Sequence, residues 1–214
     1  STELKFYLLM NALFSFGGVL SGVFQSVFLW KLDKTYSLLA HYSLYWSIAL
    51  IFCFGLCGWL ARKTSPMITM RLGFVFYLIT YLIMLIFHDT LSDHIMLLGF
   101  SNGLAMSLYY VGMHLAVLDL TTNNNRDQFL YVQGILFTIG GVIGPVLSGI
   151  IITQFEGMFG YYVVFIGTCV FFFIAFLTSL KVKGHPITTK SYFWEVVKNP
   201  SREWKKMYKV MFAD

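Results

Sequence analysis

Residues 6–30 read FYLLMNALFSFGGVLSGVFQSVFLW, 25 positions without an acidic or basic side chain. A bilayer-spanning helix needs about 20 mostly apolar residues, and core helices of soluble domains seldom sustain such a run uncharged. The stretch therefore predicts a transmembrane helix, and it is too long for the apolar centre of a cleaved signal peptide. Five comparable runs follow at 38–60, 66–87, 95–118, 129–153 and 160–180, joined by short polar connections. The expectation is an all-α integral membrane protein of six transmembrane helices.

Composition agrees with that reading. Hydrophobic residues make up 57% of the 214 positions and charged ones 12%, about half the charged share of a soluble domain. The net charge of +5 invites comparison with nucleic-acid-binding proteins, but the cations sit between apolar runs. With the N-terminus inside, Lys5, Arg62, Lys63, Arg71, Arg126, Lys181, Lys183 and six cations from Lys190 onward fall on the cytoplasmic side. Only Lys31 and Lys34 fall outside. Thirteen against two satisfies the positive-inside rule, so the charge is topogenic, both ends are expected in the cytoplasm and no nucleic-acid partner is expected. A multi-pass protein of the plasma membrane, surrounded by lipid, follows. Cys53, Cys57 and Cys169 lie inside apolar runs, where a thiol packs as a small hydrophobe, and neither a metal site nor a cofactor is expected.

Past residue 185 the composition becomes polar and basic. Over 186–214, Pro200 can open a short helix with Trp204, Tyr208 and Met211 on one side and Lys205, Lys206 and Lys209 flanking it. Such a segment suits an anionic membrane surface; a flexible linker is the other reading.

A shift of 86 residues aligns the chain with itself. Phe14 meets Phe100, Ser15 meets Ser101, Gly17 meets Gly103 and Ser21 meets Ser107. The register continues through Asp33 with Asp119, Tyr45 with Tyr131 and Gly58 with Gly144. Three crossings separate the copies, so residues 6–87 and 95–180 are expected to form two inverted three-helix repeats, an arrangement known among secondary transporters.

Three local patterns extend this reading. Gly58-Trp-Leu-Ala-Arg62-Lys63 through Ser65-Pro66 to Arg71-Leu-Gly73 resembles the loop between the second and third helices of the major facilitator superfamily. Asp119-Leu-Thr121 followed by Arg126 resembles that family's entry to its fifth helix. Gly140, Gly141, Gly144, Pro145, Ser148 and Gly149 resemble the glycine-and-proline motif associated there with antiporters and drug exporters. The chain departs from the family at Arg62, where an acid is usual, at Ser65, a loop glycine, and at Gly99, which stands for an arginine of the fourth helix. The resemblance implies that residues 1–185 are the N-terminal six-helix half of a transporter. The second half would be supplied by the same chain beyond residue 214 or by a second copy.

Polar residues inside spans are functional candidates, because their faces turn to the bundle interior or to water rather than to lipid. Asn11, Ser15, Gly18, Gly22 and Gln25 share one face of the first span, and Gly103, Ser107, Tyr110 and His114 one face of the fourth. With Tyr45, Asn102 and Gln133, the residues Asn11, Gln25, Tyr110 and His114 form the expected binding set for a small-molecule substrate; ordinary interhelical hydrogen bonding is the competing account. Arg62, Lys63, Asp119 and Arg126 are expected to form a cytoplasmic gate, and Gly140, Gly144, Pro145 and Gly149 a helix-packing surface. Efflux of a hydrophobic or amphipathic compound is the leading expectation, ahead of uptake of a neutral solute such as a sugar or nucleoside. A scaffold or receptor without transport is a third possibility. No nucleophile, base and orienting group fall together, so no enzyme is expected.

Overall fold

The structure, a computed structural model, describes residues 2–185; the basic tail expected over 186–214 lies outside the described residues. It consists of α1 (Thr2–Asp33), α2 (Tyr36–Lys63), α3 (Pro66–Ile86), α4 (Ile95–Leu120), α5 (Arg126–Gln154) and α6 (Phe159–Ser179), with a 3₁₀ segment at His88–His94 leading into α4. No strand occurs among the described residues. All six helices are long and apolar enough to cross a bilayer, as the sequence predicts.

Helical hydrogen bonding continues past the apolar runs until local chemistry stops it. At the end of α1, Lys34 adopts a left-handed φ of 53° and its N–H bonds the Trp30 carbonyl at 2.8 Å, the pattern of a helix C-cap. Before α3, Ser65 is extended and its Oγ accepts the Ile68 N–H at 3.2 Å, while Pro66 takes the first helical position. The departure from the family's loop glycine at Ser65 thus provides an N-cap.

The main packing pairs each join one of the first three helices to one of the last three. α1 packs against α5 and α6, α4 packs against α2 and α3, and α3 meets α6. Exchanging the first three helices with the last three leaves this list unchanged. Each repeat's first helix is lodged against the other repeat, which explains how two inverted copies share one core.

Small residues permit these crossings, since lipid gives apolar helices little reason to associate beyond close packing and hydrogen bonds. A Cβ on Gly103 would lie 2.5 Å from Ala49 Cβ and 2.7 Å from the Trp46 carbonyl oxygen, and one on Gly112 would lie 2.6 Å from the Met70 nitrogen. At Gly99 it would lie 2.8 Å from Tyr45 Cβ, so an arginine side chain has no room there. Along α5, Gly144 abuts Val19, and the Ser148 hydroxyl donates to the Leu20 carbonyl at 2.6 Å. Gly140 and Gly149 look onto Phe16 and Phe24. Pro145 lies within the same helix. At the centre, Phe14 stacks on Tyr109 and Phe172 at ring separations of 3.7 and 4.8 Å, uniting α1, α4 and α6.

The two ends differ in charge. At one end Lys181 lies over the Phe6 ring at 5.0 Å, and Arg71 donates to the carbonyls of Ser179 and Val182 at 2.8 and 2.6 Å. The start of α1, the α2–α3 and α4–α5 connections and the end of α6 meet here, forming the basic end. At the opposite end Lys31 lies 5.0 Å from the centre of the Tyr161 ring.

Candidate functional site

The polar stripes of α1 and α4 divide into structural and cavity-lining residues. Asn11 is fully buried: its Nδ2 donates to the Tyr7 carbonyl at 2.8 Å, and Oδ1 accepts the Tyr109 hydroxyl at 2.7 Å. The Tyr7 hydroxyl in turn donates to the Met113 carbonyl at 2.8 Å. This chain of bonds ties α1 to α4, and Asn11 does not line the cavity. In α4, Gly103 and Ser107 are buried, with Gly103 against α2 and the Ser107 hydroxyl donating to the Gly103 carbonyl.

Ser15, Gly18, Gly22 and Gln25 do line a cavity of about 410 Å³, opposite Asn102 and Tyr110. Its other walls are largely aromatic, including Trp46, Tyr77, Tyr81, Phe137 and Phe172, and no charged side chain among the described residues lines it. Behind that wall the Tyr42 hydroxyl accepts from both Gln25 Nε2, at 2.8 Å, and Asn102 Nδ2. Each amide is fixed by its nitrogen and retains a carbonyl oxygen as an acceptor. Trp46 Nε1 is buried without a hydrogen-bond partner among the described residues. The site thus combines the amides of Gln25 and Asn102, fixed through their nitrogens, with aromatic faces.

His114 and Gln133 line a second cavity, also of about 410 Å³, between α4 and α5 toward the basic end. Phe137 borders both cavities. Tyr45 lines neither; its ring lies beside His41 and Phe100. The expected binding set is therefore distributed over two cavities, one buried hydrogen-bond chain and one interhelical ring contact.

Tyr42, Trp46 and Phe137 lie outside the sequence-derived set. Nothing distinguishes them from other aromatics in apolar runs, and their position emerges only when α2 and α5 are packed. Tyr77 and Tyr81, four apart in α3, carried a usable signal: two polar tips on one face of a span.

At the basic end, Asp119 Oδ2 lies 3.4 Å from His185 Nδ1. Arg126 Nε donates to Thr121 Oγ1 at 3.1 Å, Arg62 Nε to the Gly58 carbonyl at 3.2 Å, and Lys63 lies 4.3 Å from the Trp59 ring centre. The four expected gate residues share this end, and among the described residues Asp119 faces His185 there.

A family model described as the Major Facilitator Superfamily matches residues 70–213. "Uncharacterized protein YqgE" of Bacillus subtilis (strain 168) is 31% identical over 180 residues, covering 84% of this chain and 42% of the relative. "Uncharacterized protein in sodM 3'region" of Geobacillus stearothermophilus is 26% identical over 164 residues, covering 77% of each. The chain therefore spans less than half the length of the Bacillus subtilis relative.

Proposed function

The chain belongs to the major facilitator superfamily, and from that premise we propose that it forms one half of a secondary transporter working by alternating access. Residues 1–185 act as one six-helix bundle, the N-terminal half, rocking against a second half supplied by the same chain beyond residue 214 or by a second copy. The protein sits in the plasma membrane with its basic end and both termini in the cytoplasm, in keeping with the charge difference between the two ends. The residues over 186–214 serve as the linker or membrane-surface segment.

The observation that carries this reading is the uncharged aromatic cavity between α1 and α4, which holds Gln25, Asn102 and Tyr110. Such a site favours a hydrophobic or amphipathic compound over a multiply charged one, because nothing in its wall compensates the loss of a charged solute's hydration. Outward movement is the direction proposed, on the α5 glycine-and-proline pattern packed along α1. The Gln25–Tyr42–Asn102 network favours a second substrate, a small neutral solute such as a sugar, since fixed amide carbonyls accept from hydroxyls.

Proteoliposomes containing the complete transporter decide between them. Saturable movement of dansylamide, weakened by Gln25→Leu and Asn102→Leu, is the expected outcome. Saturable glucose movement with no dansylamide movement supports the second substrate. Movement of neither, with folding intact, points to a scaffold or receptor and overturns the transport reading.

A further inference from the structure

The cavity between α4 and α5 differs in chemistry from the central one. α4 contributes His114, Val117 and Leu118, and α5 contributes Arg126, Leu130 and Gln133. Its polar groups are weakly engaged. Arg126 contacts Thr121 through Nε at 3.1 Å and through Nη2 at 3.5 Å, and no carboxylate pairs with it among the described residues. Gln133 is 6% exposed, yet among the described residues its Nε2 has for a partner only the Met113 thioether at 3.6 Å, a weak acceptor. The carboxylates nearest in sequence, Asp119 and Asp127, do not line the cavity, and Asp119 faces His185.

The arrangement is graded along the helix axis. Arg126 begins α5 at the basic end, while Phe137, eleven residues on, closes the inner end about 16 Å deeper. A guanidinium at the mouth, an imidazole and an amide at mid-depth and aliphatic and aromatic walls match a molecule with an anionic head and a single apolar tail. One permanent cation balances one negative charge. A carboxylate meets that condition, whereas a phosphate monoester carries nearly two charges at neutral pH.

We propose that the α4–α5 cavity is a recognition site for single-chain carboxylate amphiphiles, with Arg126 holding the carboxylate and the tail directed toward Phe137. This site is distinct from the central cavity and does not depend on the transport reading, because binding at Arg126 is measured without flux.

The test uses the full chain in phosphatidylcholine nanodiscs at mildly alkaline pH, with a diazirine-bearing fatty acid as photoprobe and peptide mapping of the label. Laurate, dodecanol and dodecyltrimethylammonium, which share one chain length, serve as competitors. The expected label falls on α4 and α5, and laurate competes at about one tenth the concentration dodecanol needs, the size set by a charge-assisted hydrogen bond. Arg126→Gln should bring laurate and dodecanol to parity without changing dodecanol, and Arg126→Lys should keep most of the preference. Equal competition by the three compounds in the parent chain overturns the proposal. So does a laurate preference that survives Arg126→Gln, or a label mapping away from α4 and α5. Binding as expected with no flux in proteoliposomes leaves this site standing and removes the transport reading alone.

Discussion

At Asn11 both ends of a side-chain amide are engaged inside the bundle, while Gln25, on the same face of the same helix, presents its amide to a cavity. The sequence offers no means of separating them, because both are neutral amides in one apolar run; the difference lies in Tyr7 and Tyr109, brought to Asn11 by the fold. The two positions should behave differently. Cysteines replacing Gln25, Tyr110 and His114 are expected to react with a membrane-impermeant thiol reagent, whereas one replacing Asn11 stays inert unless the protein is unfolded. Equal reactivity at positions 11 and 25 in folded protein contradicts the assignment. Asn11→Leu leaves the Tyr109 hydroxyl buried without its acceptor and should cost about 1–3 kcal/mol in a melting experiment. Asp119 behaves in the opposite way. Its pair with His185 is partly exposed, at 33% and 59% of the side chains, so the pair alone is worth at most about 1 kcal/mol after solvent screening. Asp119→Asn should leave stability almost unchanged. Its expected effect is on conformational balance: if the basic end closes during transport, removing this carboxylate from among the cations there should favour the inward-open form. Cysteine accessibility compared from the two membrane sides of the complete transporter checks this, and identical accessibility in parent and Asp119→Asn removes Asp119 from the gate.

Helices were more legible than the contacts between them. An apolar run bordered by Lys31 or Arg62 announces a span, because crossing length and charge exclusion are properties of the chain and the bilayer alone. The limits were harder to place, since the stops depend on a left-handed Lys34 and on the Ser65 cap rather than on hydropathy. Which face of a span looks inward is harder still when it is apolar all round, as around Trp46 and Phe137. The 86-residue repeat predicts two copies, yet only the folded chain reveals that α1 is lodged against α5 and α6 of the other copy. Glycines report those crossings through the space around them. Gly112→Val drives a branched side chain into the α3 backbone, and Gly144→Leu does the same against Val19 and Leu20. Each should lower stability by about 1–3 kcal/mol or prevent insertion, by the usual cost of overpacking. Gly18, with nothing within 4 Å of an added Cβ, is the control. Gly18→Ala should fold at least as well as the parent, since alanine also favours the helix, and a comparable loss there would mean that crossing distance does not set the cost.

For the molecule as a whole, the unequal burial of the spans bears on the proposed second half. Only 17% of the most apolar stretch is buried in α2 and in α5, against 33% to 50% in the other four helices. These two helices occupy equivalent places in the inverted repeats and present their free faces to lipid or to another bundle. Apolar area does not distinguish the two, because hydrocarbon solvates Ile51 or Val142 as well as another helix would; close backbone approach at small residues does. Gly55 and Gly141, equivalent under the 86-residue shift, have nothing within 4 Å of an added Cβ and lie on these least-buried helices. If the second half docks there, Gly55→Leu and Gly141→Leu should leave the chain folded, with an unchanged melting temperature. Each should weaken association and lower flux through the complete transporter roughly tenfold, the effect of about 1.4 kcal/mol lost at a packed crossing. Cysteines at Phe52 and Val142, exposed on the same two helices, should cross-link to the second half in the parent and lose that cross-link in the leucine variants. Should flux and cross-linking survive both substitutions, α2 and α5 face lipid, and the second half docks elsewhere or is not needed.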